Sequence, residues 1–266
     1  MDVLSRNNVV VTGLEGTRPI VFAHGFGCDQ TMWRFVAPRF AETNRAVTFD
    51  HVGFGASDLS AFDLDRYTSL DGYATDLLEI CETLDLAESV FVGHSVAAMI
   101  GVLAAIRAPR VFGALVLVGP SPRYIDEDGY FGGFSREDVD GLLVSLESNY
   151  LGWSSAMAPA IMGNPDRPEL GQELTNSFCR TDPAIARHFA ELTFLSDNRA
   201  DLAKIEVPTL ILQCSDDVIA PDAVGAYVHS QIPGSTLVRL DAVGHCPNLS
   251  APDETFDAIS AFLATL

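Results

Sequence analysis

SVFVGHSVAAMIGVLAAI, residues 89–106, is the stretch on which the reading of this chain turns. An apolar, β-branched tract from Ser89 to Val92 runs straight into an alanine-rich one, with Gly93-His94-Ser95-Val96-Ala97 at the join. One reading is a tight turn in which Gly93 takes a positive φ and Ser95 caps the following helix. The other is a nucleophile held up on a strained strand-to-helix turn. The pentapeptide alone leaves both open.

Outward from this join, short apolar runs alternate with helix-like tracts. Strands are expected at 9–12, 20–23, 46–50, 89–92, 113–118, 209–214 and 236–240. Several are nearly continuous in Val, Ile, Leu and Phe, as strands covered on both faces are. Between them lie amphipathic segments such as DGYATDLLEICETLDL (71–86), with Leu77, Ile80, Cys81 and Leu84 on one face. APDETFDAISAFLATL (251–266) has acidic residues in its first turn and Phe256, Ile259, Phe262 and Leu263 for a core. This alternation predicts an α/β fold, a mostly parallel sheet with helices on both faces.

The alternation stops between residues 122 and 207. Helix-like segments take its place: SREDVDGLLVSLESNYLGW, PELGQELTNSFCR and DPAIARHFAELTFL. Each opens on a helix-start signal, at Ser135, Pro168 and Asp182-Pro183. The expected organisation is a core of residues 1–121 and 208–266, with 122–207 inserted between two strands as a helical lid. Its aromatic and apolar residues, Tyr124, Phe134, Trp153, Met157, Phe178 and Phe194, suit the wall of a small apolar pocket.

In a parallel α/β sheet, functional groups collect beyond the carboxyl ends of the strands. Those ends carry His24-Gly25-Phe26-Gly27, His51, Gly93-His94-Ser95, Ser215-Asp216-Asp217 and Gly244-His245. Serine, acid and histidine follow in the order used by α/β-hydrolases. A serine hydroxyl needs a base near neutral pKa, and the base needs a carboxylate to fix its tautomer. Ser95, His245 and Asp216 or Asp217 supply these roles. The N–H groups of Val96 and Phe26 are the expected oxyanion donors. His94 and His24 read as packed, structural histidines; His51, His188 and His229 receive no role. The strand before the insertion ends VLVGPSP, without a carboxylate, so the acid is not expected there. An elbow serine also argues against the dehalogenase and epoxide hydrolase chemistries, which use aspartate. This mechanism requires no metal and no organic cofactor.

Sixteen basic residues against 36 acidic ones give a net charge of −20, and Lys204 is the one lysine. Such a field repels nucleic acid and anionic membranes, so neither is expected as a partner. No apolar run approaches the roughly 20 residues that span a bilayer. The first residues, MDVLSRNNVVVTG, lack a basic start and apolar block, so no signal peptide and a cytoplasmic location are expected. Five scattered cysteines without a CxxC pair suggest reduced thiols.

Long dispersed stretches carry a resemblance: HGFGCDQTMW, DLDRYTSLDGYATDLLEICETLDL, FVGHSVAAMIGVLA, VGPSPRY, FCRTDPAIAR, LILQCSDDVIAPDAVGAYVH and GHCPNLSAPDET. Together these resemble the RsbQ-like α/β-hydrolases, regulators of the bacterial sigma-B stress response, and more distantly the plant karrikin and strigolactone receptors. The resemblance implies Ser95 as nucleophile, Asp217 as acid, His245 as base, Phe26 and Val96 as oxyanion donors, and a V-shaped lid of four helices. It also implies a small hydrophobic ester or lactone as ligand and a PAS-containing PP2C-type phosphatase as partner. Ala97 departs from the family's G-x-S-x-G at its last position.

Overall fold

All seven expected strands are present in the computed structural model, which describes residues 2–266. The chain runs α1 (Val3–Arg6), β1 (Val10–Gly13), β2 (Pro19–Ala23), α2 (Ala37–Ala41), β3 (Arg45–Thr48), α3 (Leu70–Thr83), β4 (Ser89–His94), α4 (Val96–Arg107) and β5 (Phe112–Val118). Five helices follow: α5 (Arg136–Ser148), α6 (Tyr150–Met162), α7 (Pro168–Arg180), α8 (Pro183–Phe194) and α9 (Arg199–Leu202). The sheet resumes with β6 (Thr209–Asp216), α10 (Asp222–Gln231) and β7 (Thr236–Val243), and α11 (Pro247–Ser250) and α12 (Pro252–Leu263) close the chain.

The strands form one sheet in the order β1-β3-β2-β4-β5-β6-β7, parallel except where β1 pairs antiparallel with β3. Side chains of a strand alternate between faces, and the two cores follow that period. Ile20, Phe22, Val90 and Val92 enter one core, together with Ile259 of α12 and Trp153 and Phe178 of the central helices. Val21, Ala23 and Phe91 enter the other, with Leu77 and Ile80 of α3 and Met99 of α4. Each fully buried side chain of this size stabilises the fold by about 1.5–3 kcal/mol. β1 is the exception: at the sheet edge, all four of its residues are exposed.

Helix starts stand where the sequence signals them. Ser135 and Asp138 form a reciprocal capping box on α5, and the Asp182 carboxylate accepts from the N–H groups of Ala184 and Ile185. One boundary differs from expectation. The segment from Ser135 to Trp153 is two helices, because Asn149 leaves helical geometry (φ −155°, ψ 76°) and its side chain caps the next turn at Gly152. The second of these, α6, continues through Pro159 to Met162.

Parallel strands bring their carboxyl ends to one edge: Ala23 pairs with Gly93, and His94 with Val118. Two histidines lock that edge. His24 Nε2 accepts the N–H of His51 at 3.0 Å, so its proton sits on Nδ1 and is donated to the Gly25 carbonyl at 2.9 Å. His51 returns an Nε2–H to the His24 carbonyl at 3.1 Å. Their role is to hold the β2 and β3 ends together, and His51, given none from sequence, is half of it.

Burial lowers the pKa of His24 and His51, and lowers that of His94 to about 3. These imidazoles are neutral in the folded chain, whereas the unfolded chain takes up their protons below about 6.5. Their contribution is therefore complete above that pH and is lost progressively as pH falls, by about 1.4 kcal/mol per histidine per pH unit. Asp76, raised by its own burial against Arg66, opposes this trend. Urea unfolding between pH 7 and 5 is expected to show a midpoint that drops with acidification at constant slope. A midpoint independent of pH over that range would contradict the buried neutral imidazoles.

Candidate active site

β4 hands directly to α4 through Ser95, whose backbone adopts φ 57° and ψ −125°. Such a conformation costs a non-glycine residue about 1–3 kcal/mol and persists only where the surroundings impose it. The surroundings are visible at Gly93. Its φ is not positive; instead a methyl there would meet the Phe91 ring at 2.5 Å and the Ala97 carbonyl at 2.7 Å. Glycine thus lets the first turn of α4 press against β4, and the strain falls on Ser95. Nor does the Ser95 side chain cap α4. The plain-turn reading of the pentapeptide fails on both counts, since neither the glycine nor the serine does what it requires.

The freed Ser95 hydroxyl lies 2.7 Å from His245 Nε2, and His245 Nδ1 lies 2.7 Å from Asp217 Oδ2. All three side chains are buried. Of the two adjacent aspartates, Asp216 is exposed and Asp217 turns inward. A shift of register between Cys214 and Asp216, where β6 pairs with β7, lies just before this turn. Asp217 Oδ1 accepts the N–H groups of Ile219 and Ala220 at 2.8 and 3.0 Å, leaving Oδ2 for the imidazole. Burial pushes the Asp217 pKa up, but His245 and these two N–H donors outweigh it and hold the carboxyl below its usual value. The residue therefore stays an anion, the state that orients an imidazole and stabilises its protonated form.

His245 is held at every polar atom. Its N–H donates to the Ile161 carbonyl at 2.9 Å, and its carbonyl accepts from His94 Nε2 at 2.7 Å. His94 is thus a structural histidine beneath the elbow, although its buried Nδ1 finds no partner and faces Gly25. Gly119, at the end of VLVG, lies against the same pair: a methyl there would approach His245 Cε1 at 3.2 Å and Asp217 Oδ2 at 3.5 Å. A side chain in that position would crowd the contact. Sequence reading noticed that no acid stands there but missed why the position is bare.

Val96 N–H opens α4, where helix geometry leaves it without an intrahelical acceptor. Phe26 follows Gly25 in the loop after β2, and neither N–H is taken up by a turn or loop hydrogen bond. Both N–H groups therefore belong to residues flanking the Ser95 elbow and the β2 end.

The chamber above Ser95 has a free volume of about 30 Å³ and is walled by aromatic side chains. Tyr124, Trp153, Phe178 and Phe194 line it, as do Phe26, Cys28 and Ile161. Phe26 packs among Trp153, Phe178, Phe189 and Phe194 with ring centroids 5.6–6.4 Å apart. Phe134 and Met157 do not line the chamber. Phe134 stands behind Phe194, 6.4 Å between centroids, and both residues pack partly buried against the core. Helical spacing marks apolar residues without saying which of two apolar surroundings they face. The Tyr124 hydroxyl is buried beside Ser95 without the geometry of a hydrogen bond to anything. A larger groove of about 590 Å³ lies along β1 and α2, and none of its lining residues belongs to the Ser95, Asp217 and His245 cluster.

The chain has relatives over nearly its whole length. It is 38% identical over 252 residues to the Strigolactone esterase D14 of Arabidopsis thaliana, with 94% of each chain covered. It is likewise 38% identical to the Karrikin insensitive 2 receptor CA of Petunia hybrida, covering 93% of this chain and 92% of that one. Among solved structures, a hydrolase from Oleispira antarctica superposes with a TM-score of 0.96 at 39% identity, covering 100% of this chain and 97% of the other. The model of the Alpha/beta hydrolase family matches residues 20–258, which run from β2 into α12 and include the elbow, the inward aspartate and the histidine loop. By that span and by these relatives, the chain belongs to the alpha/beta hydrolase family.

Proposed function

We propose that the protein is a serine hydrolase that cleaves a carboxylic ester or lactone of a small hydrophobic molecule. The observation that carries this reading is the pair of 2.7 Å contacts joining Ser95, His245 and Asp217. In this mechanism Ser95 Oγ attacks the acyl carbon while His245 Nε2 takes its proton. The carbonyl oxygen becomes an oxyanion held by the N–H groups of Phe26 and Val96, each worth about 10²–10³ in rate. His245 returns the proton to the departing alkoxide, which in a lactone stays tethered to the acyl group. Water then repeats the sequence on the acyl-serine, and Asp217 remains ionised throughout. No metal or organic cofactor takes part.

Residues 122–207 act in this reading as a lid, the helices α5 to α8 forming its V-shaped walls over a core of 1–121 and 208–266. The free space of about 30 Å³ beside Ser95 is tight for an ester. The lid and its aromatic side chains must therefore move apart to admit substrate. The unpaired Tyr124 hydroxyl is suited to donate to a second oxygen of the ligand. Burial raises its pKa, against the pull of the Ser95 hydroxyl, and keeps it a proton donor.

The tight chamber also favours a second reading, in which slow turnover or ligand capture serves signalling. Rare opening limits kcat, and the stretches quoted above resemble the RsbQ-like regulators. The partner in that reading is a PAS-containing PP2C-type phosphatase of a sigma-B stress pathway, and the setting is cytoplasmic. Five free cysteines support a reducing compartment, and among the described residues no helix is long and apolar enough to cross a membrane. Activation of such a phosphatase by wild type but not by Ser95→Ala would tie signalling to the chemistry; equal activation would separate them.

Incubation with phenylmethanesulfonyl fluoride is expected to add one sulfonyl group to Ser95, read by intact mass and peptide mapping, with no adduct on Ser95→Ala. His245→Ala should slow p-nitrophenyl acetate hydrolysis by about 10⁴-fold or more. Absence of adduct on folded wild type would overturn the proposal. Tyr124→Phe removes an unsatisfied buried hydroxyl, so it should raise stability by about 1 kcal/mol. The same change should lower turnover of substrates with a second acceptor by about 2–10-fold, the loss expected for one hydrogen bond.

A further inference from the structure

The loop that carries His245 is fastened on both sides to the end of α6. Asn164, two residues past that helix, is buried and takes a left-handed backbone with φ 58°. Its Nδ2 donates to the Met162 carbonyl at 2.9 Å and, across to β7, to the Val243 carbonyl at 2.9 Å. Its Oδ1 accepts from Arg167 Nη2 at 2.5 Å, and Arg167 Nη1 reaches the Ser250 carbonyl at 2.8 Å. Between those anchors at 243 and 250, the His245 N–H donates to Ile161 of the same helix. Contact is close enough that a methyl on Gly244 would collide with the Met162 carbonyl.

We propose that Asn164, with Arg167 behind it, is a positioning residue for His245. The proposal rests on the serine-hydrolase reading and adds to it that the base is seated by a helix outside the sheet. Strand β7 delivers the chain only as far as Val243. Beyond it, the sheet still holds the Gly244 N–H through the Asp216 carbonyl at 2.8 Å and the His245 carbonyl through His94. Residues 161–167 add contacts at Val243, the His245 N–H and Ser250, and Asn164 supplies the first of these. Both of its donor hydrogens are spent on main-chain carbonyls, and its oxygen is filled by Arg167, so the side chain has no freedom left to drift. Docking of α6 over the chamber and placement of the imidazole are consequently one event. An open insertion would leave Ser95 facing a base held only from the sheet side, by the Asp216 carbonyl and His94.

Asn164→Asp tests this. It keeps the side-chain shape, the tendency to left-handed backbone and an acceptor for Arg167, and it removes both donors. Asn164→Gly, which tolerates the same φ, is the second variant. With p-nitrophenyl acetate, kcat is expected to fall about 10–100-fold, the loss typical of a catalytic group displaced by an ångström. KM should stay within about twofold, because ground-state binding is untouched. In wild-type proton NMR, the hydrogen between His245 Nδ1 and Asp217 should give a far-downfield signal, which should broaden or vanish in both variants while their melting temperatures report a folded chain. Wild-type kcat in folded variants, beside an inactive Ser95→Ala, would overturn the positioning role alone. A fall in melting temperature with kcat and the downfield signal preserved would reduce Asn164 to a structural clamp and overturn it too. Full activity in Ser95→Ala would remove the serine mechanism, and this inference with it.

Discussion

The close crossing of β4 and α4 is the constraint on which the site depends. Gly93 lets the helix approach, and the approach leaves Ser95 in a conformation it would not otherwise hold, with φ 57° and ψ −125°. That strain is sustained by buried apolar surface on both faces of the sheet, where Val90 and Val92 point one way and Phe91 the other. Its consequence is a hydroxyl displayed beyond the sheet instead of one spent capping its own helix. The proposed nucleophile needs that freedom, because a hydroxyl committed to backbone donors is a poorer partner for a base.

Around this point the fold assembles rigid supports from different parts of the chain. His24 and His51 tie two strand ends together, His94 holds the His245 carbonyl, and Ile219 and Ala220 hold the Asp217 carboxylate. Each is a hydrogen bond in a dry interior, where an unpaired group is costly and a paired one resists displacement. The neutral histidines give the site its geometry and make it sensitive to acid by the same means. The aromatic wall above Ser95 works differently: it is held by stacked and edge-on rings, not by directional bonds.

Much of this was legible in the residues. The strands were visible as apolar runs, and Ser135 and Asp182 marked helix starts because capping is a local interaction between neighbours. The order of serine, aspartate and histidine was legible because a parallel sheet brings all its strand ends to one edge. What could not be read were features that depend on distant partners. Pro159 looks like a breaker, yet α6 runs through it. Phe134 and Met157 look like pocket residues but do not line the chamber and pack partly buried against the core. Asn164 carries no motif at all, since its importance lies in carbonyls at 162 and 243.

By itself, then, the chain determined the αβ alternation and the run of helices between β5 and β6, and it named the elbow and strand-end side chains that the proposed chemistry uses. These follow from hydrophobic period and turn chemistry, which act over a few residues. Tertiary structure alone decided the contacts that turn Asp217 onto the imidazole, the tightness of the chamber, and the grip of residues 161–167 on the histidine loop. Those outcomes rest on contacts between distant segments, such as His245 with Ser95, 150 positions away. Only the packed chain brings such segments within bonding distance.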